Sequence, residues 1–313
     1  MANPKGPIGR APEIESALTA ITRGANVLIH GRAGIGKSRV LAHLQLLLAN
    51  DGYRTIWVPA GTTKSLLMLI AQQVHELRGL AIPASLLPPR AVNRARREGT
   101  LPWSDLARTM RRLPVAEASE VVAQSLEGGS FVVFIERLEV PPSQADFFAL
   151  VIDRAQTVAA MDSNNRRVRI QRLLWRFQEE VSLKPLSLHH SEAVVRLNLL
   201  DGKVRFPDQT TRLRFIRHVA RESAGVPAAI TGMVAAARQE DQITPAMVRS
   251  WTHDAGIRYA DMTPIVVLAI VIFGAMRYVG RGFGEVDLYV LAGVLTALLA
   301  GVRFFMWRAR SRA

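Results

Sequence analysis

The sequence predicts an α/β fold: a three-layer α/β/α domain around a parallel sheet, followed by a small all-α domain and a C-terminal transmembrane helical hairpin. Three observations predict it. Short apolar runs alternate with helical patterns through residue 188, a Gly-rich turn joins the first such run to the first helix, and two uncharged apolar stretches lie near the C-terminus. Strand and helix alternating at this spacing build βαβ units, whose crossovers impose parallel pairing. A chain of 313 residues accommodates one domain of about 200–250 residues and a smaller appendage.

Residues 27–30 (VLIH) are a short apolar run that ends at a glycine-rich turn, as a buried parallel strand does. From Lys37 the sequence KSRVLAHLQLLLAN reads as a helix, closed by Asn50, Asp51 and Gly52. Residues 55–58 (TIWV) read as a second strand, with a helix from Leu66 to Leu77 behind it. Residues 79–104 break the rhythm: Pro83, Pro88, Pro89 and Pro102 interrupt a segment dense in Arg90, Arg94, Arg96 and Arg97. This reads as an inserted loop with a short helix, solvated or in contact with a polyanion. Residues 131–135 (FVVFI) are the strongest strand and the one expected to be central and buried. Residues 143–156 read as a helix, 157–161 as a fourth strand, 168–177 as a basic helix, and 181–183 as a short fifth strand stopping at Pro185. From residue 191 to about 255 the pattern is helical, with breaks at Gly202, at Gly225-Val226-Pro227 and at Thr244-Pro245.

The expected domains are therefore an α/β domain over residues 1–188 with its basic insertion at 79–104, a small helical domain over 189–258, a two-helix transmembrane hairpin over 262–307, and a basic tail over 308–313. Hydrophobic residues at 49% suffice for a core, and charged residues at 21% argue against a disordered chain. The absence of cysteine excludes disulfides and thiolate-bound metals. Residues 1–26 hold no uninterrupted apolar run, so no secretory signal peptide is expected and the first domain is placed in the cytoplasm. The net charge of +14 suits polyanions or simply an Arg-rich solvated surface.

The chemistry concentrates at residues 31–38. Gly31-Arg32-Ala33-Gly34-Ile35-Gly36-Lys37-Ser38 matches G-x-x-x-x-G-K-[ST] in full, between a strand and a helix as that motif requires. Its glycines let the backbone turn its N–H groups onto a phosphate, and the following helix adds its positive N-terminal end. Lys37 is placed to reach the terminal phosphates of ATP, and Ser38 to ligate Mg²⁺. A second acidic ligand is expected at the end of a neighbouring strand. Glu136 occupies that place, while Arg137 stands where a water-orienting carboxylate is frequent. Glu139 is the substitute candidate for that carboxylate. Nucleotide binding is thus better supported than rapid turnover. No Ser/His/Asp constellation and no metal-ligand spacing is present, and His189-His190 reads as a solvent-facing pair.

These motifs resemble those of the AAA+/STAND group of P-loop ATPases, in particular bacterial members related to transposition-helper and secretion ATPases, over roughly residues 7–250. Ile8-Gly9-Arg10-Ala11-Pro12-Glu13-Ile14 is similar to the segment that packs near adenine in that group, which adds Gly9 and Arg10 to the nucleotide contacts. Residues 177–187 are similar to the group's fifth strand and its turn into the lid, and Gly225-Val226-Pro227 to a G-x-P turn of the lid. The resemblance implies a polar sensor in the run Asp162-Ser163-Asn164, best met by Asn164, and an arginine finger at Arg176, with Arg172 second. A finger acts on a neighbouring subunit's nucleotide, so a homo-oligomer is implied.

Residues 263–276 (TPIVVLAIVIFGAM) and 288–302 (LYVLAGVLTALLAGV) carry no charge. Each core spans only about 21–23 Å against a hydrocarbon layer of ~30 Å. Snorkelling Arg277 and Arg303, with Tyr278, Phe304, Phe305 and Trp307 at the interface, extend both helices enough to cross. Arg308, Arg310 and Arg312 mark a cytoplasmic end, which places the hairpin in the inner membrane. The leading expectation is a membrane-associated ATPase that uses ATP to control its assembly, with the hairpin as lipid anchor or as effector of a bacterial defence system. Two alternatives stay open. One is a membrane-tethered DNA-binding ATPase, motivated by the arginines of residues 90–97 and 166–172. The other is an energising ATPase that docks on an envelope protein partner.

Overall fold

The computed structural model describes residues 6–99, 101–138, 142–162 and 168–250, together with Ile272 and Ala275. The chain divides into two units, residues 1–256 and 257–313. The first is built on a parallel sheet of β1 (Val27–Gly31), β2 (Arg54–Val58), β3 (Phe131–Ile135), β4 (Gln156–Asp162) and β5 (Glu179–Ser182). The strands lie in the order β2-β3-β4-β1-β5 and every pair is parallel.

Helices cover both faces, so the interior strands are apolar on both sides rather than alternating. The residues of β3 show the two-sided burial directly: Phe131, Val133 and Ile135 enter one apolar cluster, Val132 and Phe134 the other. The first cluster packs against α3 (Thr63–Leu77), α5 (Trp103–Arg112), α6 (Val115–Leu126) and α7 (Pro142–Arg154). The second packs against α1 (Ala11–Thr22) and α2 (Lys37–Asn50). Phe131 and Phe134 are among the largest fully buried side chains, and each contributes about 1.5–3 kcal/mol by its transfer from water.

The basic segment that the sequence offers as an inserted loop is largely helical. A 3₁₀ turn at Ala84–Leu86 leads into α4 (Pro89–Glu98), and α5 and α6 follow. Helices α5 and α6 lie outside the elements expected from the sequence, although Trp103, Leu106, Ala107 and Met110 have the i, i+3, i+4, i+7 spacing of a buried helical face. Leu106, Ala107 and Met110 are indeed buried. The basic helix α8 stops at Leu174 (Val168–Leu174), three residues short of the expected end. Strand β4 is longer than expected by one residue at each end, and that difference bears on the site.

After β5 the chain forms α9 (Leu188–Asn198), α10 (Gln209–Glu222), α11 (Pro227–Ala237) and α12 (Pro245–Ser250). These helices bury their own cluster around Val195, Phe215, Ile216, Ile230 and Val234. Their starts follow capping chemistry: Ser187 and Asp208 accept N–H groups of the first turns of α9 and α10, and Pro227 sits at the first position of α11.

In the second unit Ile272 and Ala275 are helical. The expected hairpin at 262–307 and tail at 308–313 otherwise lie outside the described residues. Among the described residues no helix is long and apolar enough to cross a membrane.

Candidate functional site

Parallel strands present their C-terminal ends along one edge, and ligands of open α/β sheets bind there, where the chain order reverses. In this sheet β1 is flanked by β4 and β5, and the register sets Gly31 beside Asp162. Ile135, the last residue of β3, pairs with Ala159, so Glu136 follows at the same edge. Three ends therefore bring the glycine-rich loop, Glu136 and Asp162 around one cavity of about 760 Å³.

The loop has the conformation its glycines predict. Gly34 and Gly36 hold φ of +75° and +104°, in the region that side chains disfavour. A Cβ on Gly34 would stand 2.8 Å from the Cβ of Ala228, so the close approach of the lid also needs glycine there. Ile35 is fully buried and anchors the loop in the second apolar cluster. Helix α2 starts at Lys37 and its N-terminal end faces the cavity. The Lys37 ammonium donates to the carbonyls of Gly31 (3.0 Å) and Arg32 (3.1 Å) and to the carboxylate of Asp162. Ser38, Glu136 and Arg137 line the same cavity.

Asp162 lines this cavity too; it belongs to the same polar run as Asn164, which the resemblance prefers. The extra residue of β4 fixes it in the sheet, beside the first glycine of the loop, and its carboxylate pairs with Lys37. Its visible signal is an acid closing an apolar run, the same signal that selects Glu136. Asn164 and Glu139 lie outside the described residues.

A second, more apolar cleft of about 510 Å³ adjoins the first and shares Gly36, Arg39 and Pro227 with it. Ile8, Ile35, His43, Leu186 and Leu197 are among its walls. Arg10 reaches this cleft but works mainly as a brace. It is 4% exposed, and its guanidinium donates to the carbonyls of Lys184 (2.7 Å) and Ile35 (3.1 Å) and to Glu13 (3.1 Å). Gly9 does not line the cleft but has φ +70° and packs against the His190 ring, where a Cβ would come within 2.7 Å.

The helices after β5, expected as a lid, are tied to the loop. Ala228, in the first turn of α11, donates its N–H to the carbonyl of Gly34 (3.1 Å), and Pro227, Ala228 and Thr231 line the phosphate-side cavity. Gly225 makes this possible, since with φ +75° it accepts the N–H of Leu186 (2.9 Å).

Arg176 lies beyond α8, away from the residues lining this cavity. Its guanidinium forms a forked pair with Asp153 (2.7 and 3.2 Å) and donates to the carbonyl of Arg172 (2.8 Å). The hydrogen bond to Asp153 holds it above its ordinary, already high pKa. To act on a neighbouring subunit it must release Asp153. Trp175 next to it is 85% exposed.

The residues fit a magnesium-bound nucleoside triphosphate. The loop supplies backbone donors and one ammonium, Ser38 and Glu136 supply hard oxygen ligands, and the adjoining cleft is apolar. Among the described residues no group of three His, Cys, Asp or Glu forms an all-protein metal cage. Mg²⁺ suits such a place, since it takes one or two protein ligands and completes its shell with phosphate and water.

A family model described as an AAA ATPase domain matches residues 7–188, more than half of the chain. Among solved structures, a Walker-type ATPase of Pyrococcus abyssi is similar at 13% identity and a TM-score of 0.48, covering 90% of this chain and 77% of that one. Domain III of the replication initiation protein DnaA of Thermotoga maritima is similar at 12% identity and a TM-score of 0.44, over 79% of this chain and 95% of that one. The RuvB Holliday-junction branch-migration motor of Thermotoga maritima is similar at 15% identity and a TM-score of 0.39, over 88% and 78%. No curated protein matches the sequence.

Proposed function

Because the chain belongs to the AAA ATPase domain family, we propose that it binds Mg²⁺-ATP between its sheet edge and its lid, and that bound nucleotide sets the lid and thereby the assembly of the chain. One observation carries this reading: Gly34 of the phosphate loop is hydrogen-bonded directly to Ala228 of the lid. A ligand that orders residues 31–38 therefore acts on α11 without an intermediary. ATP supplies the triphosphate charge and Mg²⁺ its partial neutralisation. The loop N–H groups and Lys37 bind phosphate oxygens, Ser38 and Glu136 hold the metal, and the apolar cleft beside Ile8 and His43 receives the nucleoside.

Slow turnover is part of the proposal. Glu136 and Asp162 are the carboxylates lining the cavity among the described residues; the first is needed for the metal, and the second is paired with Lys37. Neither is left to orient water, and Arg137 cannot accept a proton. The proposal extends to a homo-oligomer, supported by the exposed Trp175, and to an inner-membrane location with the ATPase domain on the cytoplasmic side. The last rests on the two uncharged runs of residues 263–276 and 288–302 and their flanking arginines.

The test is nucleotide binding, phosphate release and particle size for the full chain and for Lys37→Ala, in detergent and in liposomes. Loss of a charge-assisted contact of about 1.5–3 kcal/mol weakens ATP about 10- to 100-fold in the variant. A wild-type chain whose melting temperature and sedimentation ignore millimolar Mg²⁺-ATP would overturn the proposal.

A further inference from the structure

The basic segment forms a further cavity, of about 610 Å³, that shares no lining residue with the two at the nucleotide site. Helix α4 contributes Arg90 and Arg94 to it, and α5 contributes Arg108 and Arg112. Each pair is spaced i, i+4, so each stacks two like charges on one face of its helix, an arrangement that disfavours the helix by a few tenths of a kcal/mol. Both helices present that face to the same space. The acid among the lining residues is Asp105, and it accepts from Arg94 (2.9 Å), which ties α4 to α5. Among the described residues no carboxylate pairs with Arg90, Arg108 or Arg112. The floor is firm: Ala91 and Thr109 are buried, and Lys64 of α3 donates to the carbonyl of Leu113 (2.5 Å).

Solvated charge runs spread along a helix, whereas these arginines converge on a concave site of ligand size. Convergent like charges on a low-dielectric floor focus the field on whatever enters. Guanidinium forks match phosphate oxygens two at a time. We propose that this cavity binds a small ligand with several closely spaced phosphates, such as a polyphosphate chain or a compound bearing one. The concavity favours such a ligand over the flat, extended contact that a nucleic-acid backbone needs.

The probe is inorganic tripolyphosphate, titrated calorimetrically into the full chain carrying Lys37→Ala, which disables the first phosphate site. Binding should persist there and weaken at least about tenfold when Arg90→Ala and Arg108→Ala are added. Arg111→Ala removes one charge from α5, as Arg108→Ala alone does, but outside the cavity, and should change affinity less than about twofold where Arg108→Ala alone weakens it several-fold. If the double variant fails to fold, Arg108→Lys keeps the charge without the fork and should still weaken binding several-fold. Absence of binding to the Lys37→Ala chain overturns the proposal, as does an equal loss with Arg111→Ala. Binding of a short DNA duplex with none of tripolyphosphate would overturn it in favour of a nucleic-acid surface.

Discussion

Arg10 shows how one side chain can serve a site without facing its ligand. Its guanidinium joins the N-terminal segment, the phosphate loop and the turn after β5, through acceptors at residues 35 and 184. Replacement by Ala takes this donor from the buried carbonyl of Ile35 and the partly buried one of Lys184, so Arg10→Ala should cost about 2–3 kcal/mol in a denaturant melt. Arg10→Lys should recover only part of this, because an ammonium cannot span acceptors that diverge as a fork requires. A loss below about 0.5 kcal/mol for Arg10→Ala would mean that water replaces the brace. The sequence selects Arg10 as a nucleotide neighbour from its resemblance to a segment near adenine. Its bracing role was not legible, because the partners lie 25 and 174 positions away and offer backbone oxygens, which every residue has. Asp162 stands in the polar run that the resemblance offers for a sensor, but a strand end placed at residue 161 leaves it in the loop, whereas β4 carries it into the sheet beside Gly31.

Among elements, the lid depends on two local devices. Gly225 holds φ +75°, and a Cβ there would come within 2.4 Å of the carbonyl of Leu186. Gly225→Ala should therefore loosen α11 from the loop, lowering the melting temperature and shrinking the stabilisation that ATP confers. An unchanged ATP-induced shift would separate the lid from the nucleotide. Helix α10 depends on Asp208, whose carboxylate accepts the side-chain O–H and the backbone N–H of Thr211 (each 2.7 Å). The side-chain hydrogen bond from Thr211, then the backbone one, hold this carboxyl below its ordinary pKa. A depressed carboxylate stabilises above its unfolded pKa, and the contribution fades as pH falls through the folded value. Asp208→Ala should thus melt a few degrees below wild type at neutral pH, with the gap closing once the carboxylate is protonated. A gap independent of pH would assign the loss to something other than the charged cap.

For the whole molecule the question is whether ATP drives copies together. Trp175, 85% exposed beside the Arg176–Asp153 pair, is an expensive residue to leave in water. Trp175→Ala should weaken nucleotide-dependent association in sedimentation velocity while leaving ATP affinity within about twofold, since the residue does not line the nucleotide cavities. Equal assembly in both proteins would exclude this surface from the contact.

The sequence by itself determined the α/β class, the strands carried by uninterrupted apolar runs, the glycine-rich turn between the first strand and its helix, and the helical run that follows the last strand. Each is written in a short window: FVVFI is apolar on both faces, Gly31 to Ser38 is contiguous, and proline and glycine punctuate the lid. Only the tertiary structure decided that β1 lies between β4 and β5, that Asp162 therefore meets Lys37, that Ala228 reaches Gly34, and that the arginines of α4 and α5 share one cavity. These are encounters between segments far apart along the chain. Periodicity fixes which face of an element is buried, but not which neighbour it is buried against.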